Sequence, residues 1–336
     1  MSFRTRADFE AALASFTLPN SAAIAAAEAR QAQLTKPPGS LGRLERLAVF
    51  FAGWQGRERP ALESVRALVF AGNHGVAARG VSAFPASVTA QMVANFAAGG
   101  AAINALCGAA GIGLKVVPIE LERPTDDFTK GAAMSEADCL AALAAGADAV
   151  EPGTDLLVLG EMGIGNSTAA AALCALSFGG RARDWVGAGT GMHGAALEHK
   201  ARVVDAAIAL HRDGATSPFE ILRRVGGREI AAIAGAVLMA RRMRIPVMLD
   251  GFICCSALAP LAATAPDVTA HCLAGHCSAE AGHRRLLDRL GLDPLLHLEM
   301  RLGEGSGAAI AVQIVRSAIA AHAGMATFAE AGVASE

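Results

Sequence analysis

From residue 65 onward, short apolar runs that end in glycine alternate with alanine-rich stretches of helical character. Apolar runs separated by helices are typical of strands in a parallel sheet that is buried on both faces. Six runs predict strands: VRALVFAG (65–72), GLKVVPIE (113–120), TDLLVLGE (154–161), RDWVGAG (183–189), IPVMLDG (245–251) and VTAHCLAG (268–275). We therefore predict an α/β protein with a mostly parallel, Rossmann-like sheet flanked by helices.

The two ends of the chain have a helical pattern instead. Residues 1–60 contain two alanine-rich stretches that are separated at Pro19-Asn20, and they end in LTKPPGSLGRLERLA (34–48), where Ser40 is a candidate N-cap. Near the other end, AAIAVQIV (308–315) predicts a buried helix. A chain of 336 residues suits one large domain with an appended smaller piece.

Composition and charge narrow the class of protein. Hydrophobic residues make up 53% of the chain and charged residues 18%, which favours a well-buried core over disorder. The net charge of −2 predicts no attraction to nucleic acid or acidic membranes. No uninterrupted apolar run reaches the roughly 18 residues of a membrane span, and Asp8 and Glu10 exclude a secretory signal. With seven cysteines that suit reduced thiols, we expect a soluble cytoplasmic protein.

The stretch GEMGIGNSTAAAALCAL (160–176) directly follows a predicted strand. Gly163 and Gly165 permit a tight turn. Three polar residues in a row are candidate caps of the next helix: Asn166, Ser167 and Thr168. Free backbone N–H groups at such a helix start favour a phosphate or another anion, although an ordinary turn also needs glycine. Glu161 favours a ribose or sugar phosphate, because a carboxylate can accept hydrogen bonds from hydroxyls.

A second glycine motif, GTGMHG (189–194), has the G-x-G-x-x-G form of a dinucleotide-binding turn, with Asp205 as the candidate ribose acid. It follows the fourth predicted strand, which is late for that motif. An NAD-dependent oxidoreductase therefore stands as an alternative, as does a non-catalytic nucleotide-binding module. Lys200 on the following helix is either a cation for a phosphate or a solvated surface lysine.

The segment RLGEGSGAA (301–309) places Glu304 between two glycines at the predicted start of the last long helix. A carboxylate at a helix N-terminus gains about 0.3–1 kcal/mol, but this does not explain the flanking glycines, which cost backbone entropy. We interpret them as clearing space for a ligand that a general base must approach. The helix dipole would lower the pKa of Glu304, whereas an apolar pocket would raise it.

Two further stretches carry candidate chemistry. The long loop in AGNHGVAARGVSAFPASVTAQMV (71–93) is typical of a functional loop, and Phe84 at its tip either covers a flat ring or fills the core. The segment HCLAGHCSAEAGH (271–283) contains three histidines and two cysteines, but their spacing fits no standard zinc pattern. We predict no metal site there, and we assign Cys272 and the Cys254-Cys255 pair to the core.

Six stretches together resemble the nicotinate-nucleotide–dimethylbenzimidazole phosphoribosyltransferases, in family order from about residue 30 to 320. They are KPPGSLGRLE (36–45), NHGV with GVSAFP (73–85), GEMGIGN (160–166), LDGF (249–252), HCSAE (276–280) and MRLGEGSGAA (300–309). The resemblance implies a pentosyltransferase of cobalamin lower-ligand synthesis. It would convert nicotinate mononucleotide and 5,6-dimethylbenzimidazole into α-ribazole 5′-phosphate and nicotinate, with no cofactor and no metal.

The resemblance also implies a homodimer with active sites near its interface, and a division of the chain. Residues 1–60 would contribute to a small helical domain, residues 61–300 would form the large α/β domain, and residues 301–336 would return to the small domain and the edge of the active site. The partners it implies are these small-molecule substrates.

Matched to the family motifs, Glu304 would be the general base that takes the proton from the benzimidazole nitrogen. The residues that would bind the phosphate and the ribose are Gly163, Ile164, Gly165, Asn166, Lys200, Ser278 and Glu161. The residues that would line the base pocket are Phe84, Met92 and Leu302. Asn73 stands where many relatives have Asp. The apolar Phe84 and Met92 predict that base selection rests on shape and stacking.

Overall fold

The computed structural model describes residues 3–334. Within them, six strands form one sheet in which every neighbouring pair is parallel. The strands are β1 (Val65–Ala71), β2 (Gly113–Pro118), β3 (Leu156–Met162), β4 (Val247–Leu249), β5 (Cys272–His276) and β6 (Pro294–Leu296). The predicted parallel α/β sheet is therefore confirmed. The strand order is β2-β1-β3-β4-β5-β6, so the direction of strand addition reverses between β1 and β3.

Fifteen α-helices lie in the described part of the chain. They are α1 (Arg6–Ala14), α2 (Ser21–Gln33), α3 (Arg43–Gln55), α4 (Ser87–Ala97), α5 (Ala102–Ala110), α6 (Glu136–Asp148), α7 (Asn166–Phe178), α8 (Ala195–His211), α9 (Pro218–Val225), α10 (Arg228–Arg242), α11 (Phe252–Ser256), α12 (Ala259–Ala262), α13 (His283–Leu290), α14 (Ser306–Gly324) and α15 (Phe328–Ala331).

Each face of the sheet carries its own hydrophobic core, because successive side chains of a strand point to opposite faces. In β1, Leu68 and Phe70 belong to the core that contains α6, α7 and α10. Ala67 and Val69 belong to the other core, which contains α5 and α14. The alternation explains why the predicted strands are apolar throughout.

Small residues allow α6 and α10 to pack with their backbones almost in contact. A Cβ at Gly146 would lie 1.8 Å from the carbonyl oxygen of Ala232, and one at Gly235 would lie 2.0 Å from that of Leu143. No side chain fits at either position. The glycine content of the chain thus serves close packing.

The N-terminal helices are attached to the far end of α14. The Arg30 guanidinium in α2 donates to the carbonyl oxygens of His322 (2.9 Å), Ala323 (3.2 Å) and Met325 (3.0 Å). The Asn20 side chain caps α2 by accepting from the backbone N–H of Ala23, at the predicted break. The division of the chain into domains stays a prediction.

Three local expectations were wrong. Residues 183–189 form no strand, because a short 3-10 helix (Ala182–Asp184) and a glycine-rich loop replace it. Strand β6 was missed, since its three residues are too short to show a pattern. The caps of α3 and α7 are Gly42 (φ 55°) and Gly165 (φ 97°), because these positions need a left-handed or otherwise unusual backbone that the predicted polar caps rarely adopt.

Two segments are long and apolar enough to cross a membrane by length and composition, namely Ser87–Ala110 and Ser306–Gly324. The first comprises α4, a turn and α5. The second is α14, in which half of the most apolar stretch is buried inside the protein. Core helices pass the same test, so these two segments are weak evidence for a membrane span.

Candidate active site

A cavity of about 470 Å³ lies at the carboxyl ends of β3, β4 and β5, next to the point between β1 and β3 where the strand order reverses. In open parallel sheets this is the usual ligand site. Every predicted site residue except Gly165 and Lys200 lines the cavity: Glu304, Glu161, Gly163, Ile164, Asn166, Ser278, Phe84, Met92 and Leu302. The structure thus brings together residues that are up to 220 positions apart, counted from Phe84 to Glu304 (304 − 84).

Glu304 lies in a run of left-handed residues before α14. Its φ is 64°, and those of Gly303 and Gly305 are 83° and 86°. A Cβ at Gly303 would lie 2.6 Å from Oε1 of Glu161, and a Cβ at Gly160 would lie 2.4 Å from the nitrogen of Gly305. The flanking glycines therefore serve the backbone turn and its close approach to β3. Gly303 also lines the cavity beside Glu304, so our interpretation that the glycines clear space for a ligand stays a prediction.

The carboxylate of Glu304 is set up to accept a proton. The residue is 4% exposed, and its Oε2 has no hydrogen-bond partner among the described residues. Burial raises the pKa of Glu304, the backbone N–H of Ile103 opposes the rise, and the charge of Asp250 adds to it. Burial thus outweighs the hydrogen bond from Ile103, and a raised pKa suits a base that works near neutral pH.

Asp250 fixes the start of α14. Its carboxylate, which is fully buried, accepts from the backbone N–H groups of Gly305 (3.1 Å) and Ala308 (2.9 Å). Burial raises the pKa of Asp250 to about 6, although these hydrogen bonds act against the rise. His276 lies beside it, with Nε2 3.5 Å from Oδ1, and burial lowers the pKa of His276 to about 4. Asp250 ends a predicted strand, but nothing in the sequence shows that it caps a helix 55 residues away.

Glu161 faces Glu304 from the end of β3. It is 5% exposed and accepts a hydrogen bond from the side-chain amide of Asn166. Burial raises the pKa of Glu161 to about 8, and the charges of Asp250 and Glu229 add to the rise. Before substrate binds, Glu161 is therefore protonated at neutral pH and can donate a hydrogen bond.

The turn between β3 and α7 offers backbone donors at a helix start. The N–H of Ile164 donates to Oγ1 of Thr89 (3.1 Å), and that of Asn166 donates to the Gly163 carbonyl (3.3 Å). Within residues 3–334, no acceptor is found for the N–H groups of Gly165 and Ser167. Gly165 and Ser167 thus carry the free backbone donors of this turn, which favour an anion, whereas Ile164 contributes its side chain to the wall.

Lys200 is completely buried behind this turn, which contradicts its interpretation as a solvated surface lysine. Its Nζ donates to Oγ of Ser167 (2.8 Å) and to the Gly187 carbonyl (3.1 Å). No carboxylate lies within ion-pair distance of it in the described part of the chain. Burial lowers the pKa of Lys200 to about 8, and the charge of Glu280 acts against this. A buried cation without a counter-charge beside a helix N-terminus favours an anion.

The motif GTGMHG contributes to the cavity without forming a dinucleotide turn. Gly189 and Thr190 line the wall, and Oε1 of Glu280 accepts from the N–H of Gly189 (2.8 Å). Among the described residues, no strand directly precedes the motif. The carboxylate of Asp205 accepts from the backbone N–H of Ala182 (3.1 Å), so it holds the loop between α7 and α8. The alternative of an NAD-dependent oxidoreductase loses its two supporting features.

Ser278 is oriented by His283. Both the N–H and the hydroxyl of Ser278 lie 2.9 Å from Nδ1 of His283. Burial lowers the pKa of His283 to about 3, so the ring is neutral and Nδ1 accepts. His271 and Cys272 lie in the core, and Cys254 and Cys255 are fully buried, as we expected for the cysteines.

The opposite wall of the cavity is apolar. Phe84 and Leu302 are 53% and 57% exposed and form the rim, while Met92 is half-buried beside Met162. Sequence reasoning missed Met162 and also Arg301, whose Nη1 donates to the Gly189 carbonyl (3.3 Å). Both stand inside the motifs GEMGIGN (160–166) and MRLGEGSGAA (300–309), but nothing in the sequence singles them out from their neighbours.

Asn73 lies outside this wall. Its Nδ2 donates to the Leu121 carbonyl (2.9 Å), and its own backbone carbonyl oxygen accepts from the N–H of Thr125 (3.0 Å). The residue holds the loop after β2 against the end of β1. A side-chain amide can donate where an ionised carboxylate cannot, which suits this role.

Comparison with known proteins agrees with this geometry. The model of a family described as "Phosphoribosyltransferase" matches residues 16–333. The nicotinate-nucleotide–dimethylbenzimidazole phosphoribosyltransferase of Novosphingobium aromaticivorans is 67% identical over 332 residues, which cover 99% of this chain and 98% of that one. The enzyme of the same name from Cereibacter sphaeroides (strain ATCC 17025) is 58% identical, with the same coverage.

A solved structure is also similar. The crystal structure of CobT from Thermus thermophilus superposes with a TM-score of 0.88 at 41% identity, covering 94% of this chain and 100% of that one. A match of the family model over nearly the whole chain, together with these identities, shows the relationship. The chain belongs to this phosphoribosyltransferase family.

Proposed function

We propose that the protein transfers the phosphoribosyl group of nicotinate mononucleotide to 5,6-dimethylbenzimidazole, which gives α-ribazole 5′-phosphate and nicotinate. The observation that carries the proposal is the arrangement of the cavity. An unpaired carboxylate with a raised pKa, Glu304, shares one space of about 470 Å³ with an apolar wall and an anion-binding helix start.

Glu304 acts as the general base in this reaction. A neutral benzimidazole nitrogen attacks C1′ of the ribose on the face opposite to the nicotinate, so the configuration changes from β to α. The second ring nitrogen carries a proton that becomes acidic as the new bond forms. Oε2 of Glu304, which has no partner among the described residues, takes that proton. The nicotinate leaves from an activated pyridinium, with no added acid.

The end of the cavity next to the turn between β3 and α7 binds the phosphate and so positions the substrate. The N–H groups of Gly165 and Ser167 bind the phosphate, and the Lys200 ammonium behind them supplies the positive charge. Gly163, Asn166 and Ser278 complete this end of the cavity. Binding a remote phosphate fixes C1′ relative to the attacking nitrogen, which contributes to the rate through orientation.

The ribose lies between the two ends. Glu161 is protonated before substrate binds and faces this space, so it donates a hydrogen bond to a ribose oxygen. Its partner Asn166 fixes the carboxyl group in place.

The base pocket selects by shape. Phe84, Met92 and Leu302, with Met162, present no hydrogen-bonding group to an incoming ring. Unsubstituted benzimidazole and adenine are therefore accepted as alternative bases in a competition assay. Strict exclusion of both would contradict selection by shape and stacking.

The surface beside this pocket supports our proposal for the quaternary structure. The helices α4 and α5 expose a row of alanines: Ala94, Ala97, Ala98, Ala102, Ala105 and Ala109. We assign this face to a homodimer interface, in a cytoplasmic enzyme with the small and large domains described above. Light scattering should give twice the mass of one chain, and Ala105→Arg should give the monomer. A monomeric wild type would contradict the assignment.

One experiment tests the activity directly. The purified protein is incubated with nicotinate mononucleotide and 5,6-dimethylbenzimidazole, and nicotinate and α-ribazole phosphate are separated by chromatography. Equal amounts of the two products are expected. A protein that binds the nucleotide and releases no nicotinate is a binding module instead, and one that shifts NADH fluorescence points to a dehydrogenase.

A further inference from the structure

His74 and Glu229 form a buried pair directly below the turn that joins β3 to α7. His74 follows β1, and Glu229 lies in the first turn of α10. Nε2 of His74 is 2.6 Å from Oε1 of Glu229, and both side chains have 0% exposure. Because an ionised carboxylate only accepts, Nε2 is the donor. Neither residue lines the cavity, and we assign neither of them a contact with the substrates proposed above.

Burying this pair in the core lowers the stability of the folded protein. His74 Nδ1 and Glu229 Oε2 find no hydrogen-bond partner in residues 3–334. Burying unsatisfied polar groups lowers stability, and apolar residues of the same volume would fill the space at lower cost. A purely structural role therefore does not explain why these residue types stand here.

Three glycines from three segments make room for the pair. A Cβ at Gly72 would lie 2.6 Å from Oε2 of Glu229, and a Cβ at Gly163 would lie 3.1 Å from its Oε1. A Cβ at Gly227 would lie 2.2 Å from Cε1 of His74. The pair is thus packed against bare backbone on three sides, and one of these backbones begins the anion-binding turn.

His74 also lies close to the next glycine of that turn, Gly165. A Cβ at Gly165 would lie 3.4 Å from Cβ of His74, and Gly165 itself has a φ of 97°. The N–H of Gly72 donates to the Met162 carbonyl (3.0 Å), which holds the end of β1 to the end of β3. His74 and Glu229 therefore support from below the backbone that carries the free N–H groups of Gly165 and Ser167.

We propose that His74 and Glu229 are positioning residues for the phosphate of the nucleotide. They hold the turn at 163–166, in which Gly165 is left-handed, in the conformation that directs its N–H groups to the phosphate. The inference rests on the proposed function, in which this turn binds that phosphate. It assigns the pair to nucleotide affinity and leaves the chemical step to Glu304.

The test replaces both residues at once, because a single deletion would leave a buried charge unpaired. The variant is His74→Leu with Glu229→Met. The dissociation constant of nicotinate mononucleotide is measured by calorimetry without the acceptor base. We expect it to rise about tenfold, the effect of weakening one charge-assisted hydrogen bond. The affinity for dimethylbenzimidazole should change by less than about twofold.

Two further variants separate positioning from general destabilisation. Glu229→Gln keeps the acceptor for Nε2, so its nucleotide affinity should stay within about twofold of wild type. His211→Leu removes a buried histidine that donates to the Phe128 carbonyl (2.7 Å) far from the cavity. This control should lower Tm and leave nucleotide affinity unchanged.

A folded double variant with wild-type nucleotide affinity overturns the inference. If the double variant does not fold, Gly227→Ala takes its place, because its Cβ displaces the His74 ring, and unchanged affinity there overturns the inference equally. If the wild type binds the nucleotide but releases no nicotinate, the proposed function is contradicted and this test stays valid. If the wild type binds no nucleotide, both the proposed function and the inference are contradicted.

Discussion

The backbone N–H of Glu304 donates to the backbone carbonyl of Glu161 at 3.2 Å, so the two carboxyl groups of the cavity are joined through their main chains. One belongs to the end of β3 and the other precedes α14. Their separation is therefore fixed by the sheet and a long helix, and flexible side chains play little part in it. This rigidity is what a proton acceptor and a ribose contact need when they act on one substrate.

Replacing the proposed base should abolish turnover while substrates still bind. Glu304→Gln keeps the shape of the side chain but cannot accept a proton at neutral pH. We expect kcat to fall by about 10²–10⁴-fold, the range for loss of a general base. Calorimetry should show both substrates binding within about threefold of wild type. Near-normal turnover would remove Glu304 from the mechanism.

Asp250, which accepts hydrogen bonds at the start of α14, should affect kcat more strongly than the loss of stability on its removal would suggest. Asp250→Ala removes the acceptor for Gly305 and Ala308 and should lower stability by about 1–3 kcal/mol. Because it frees the turn that carries Glu304, kcat should also fall by about tenfold or more. Asn20→Ala removes the cap of α2 and is the matched control. It should lower Tm and leave kcat unchanged, and equal kcat in both variants would contradict the role of Asp250.

Lys200 should control nucleotide affinity. Lys200→Met should raise the KM for nicotinate mononucleotide by about tenfold to a hundredfold, because the phosphate loses a buried cation. The unliganded variant should be at least as stable as wild type, since no buried charge remains to be desolvated. Wild-type affinity for the nucleotide should also weaken as pH rises through about 8, where Lys200 loses its proton.

Lys115 is the control for this experiment. It is an exposed lysine on the edge strand β2. Lys115→Met should leave the KM for the nucleotide and its pH dependence at wild-type values. An unchanged KM in Lys200→Met would place the phosphate elsewhere.

The pH dependence of stability should report Glu161. Its folded pKa of about 8 lies above the ordinary value of 4.5. The stability associated with this group is therefore fully present below about pH 4.5 and is lost as pH rises through about 8. We expect the Tm of the unliganded wild type to fall relative to that of Glu161→Gln between about pH 4.5 and about pH 8, and to run parallel to it above about pH 8. Tm curves that are parallel over the whole range would show that Glu161 is ionised throughout.

The sequence predicted the structural elements that are long or whose apolar residues are regularly spaced. Strand β1 and strand β3 are long apolar runs. The carboxyl end of β3 carries Glu161, the loop that follows β1 carries Phe84, and these residues meet in the cavity. The segment at 183–189 has the same local pattern, but Trp185 and Val186 pack into the core without sheet neighbours. Only tertiary packing distinguishes the two cases.

Other features depend on distant residues and leave no local signal. Lys200 has the pattern of a surface lysine on its helix, and its burial follows from how α8 packs against the start of α7. The hydrogen bond from Ile164 to Thr89 joins positions 75 apart. For Glu304, the sequence set out two opposing effects on its pKa, and the degree of burial, which decides between them, exists only in the folded chain.

The α14 helix has one end at the proposed base and the other among the N-terminal helices. Its 19 residues span roughly 28 Å, with Asp250 holding the first turn and Arg30 holding the last. A helix held at both ends behaves as a stiff rod. Shortening the chain after Gly324, or fusing another protein there, would therefore disturb the turn that carries Glu304.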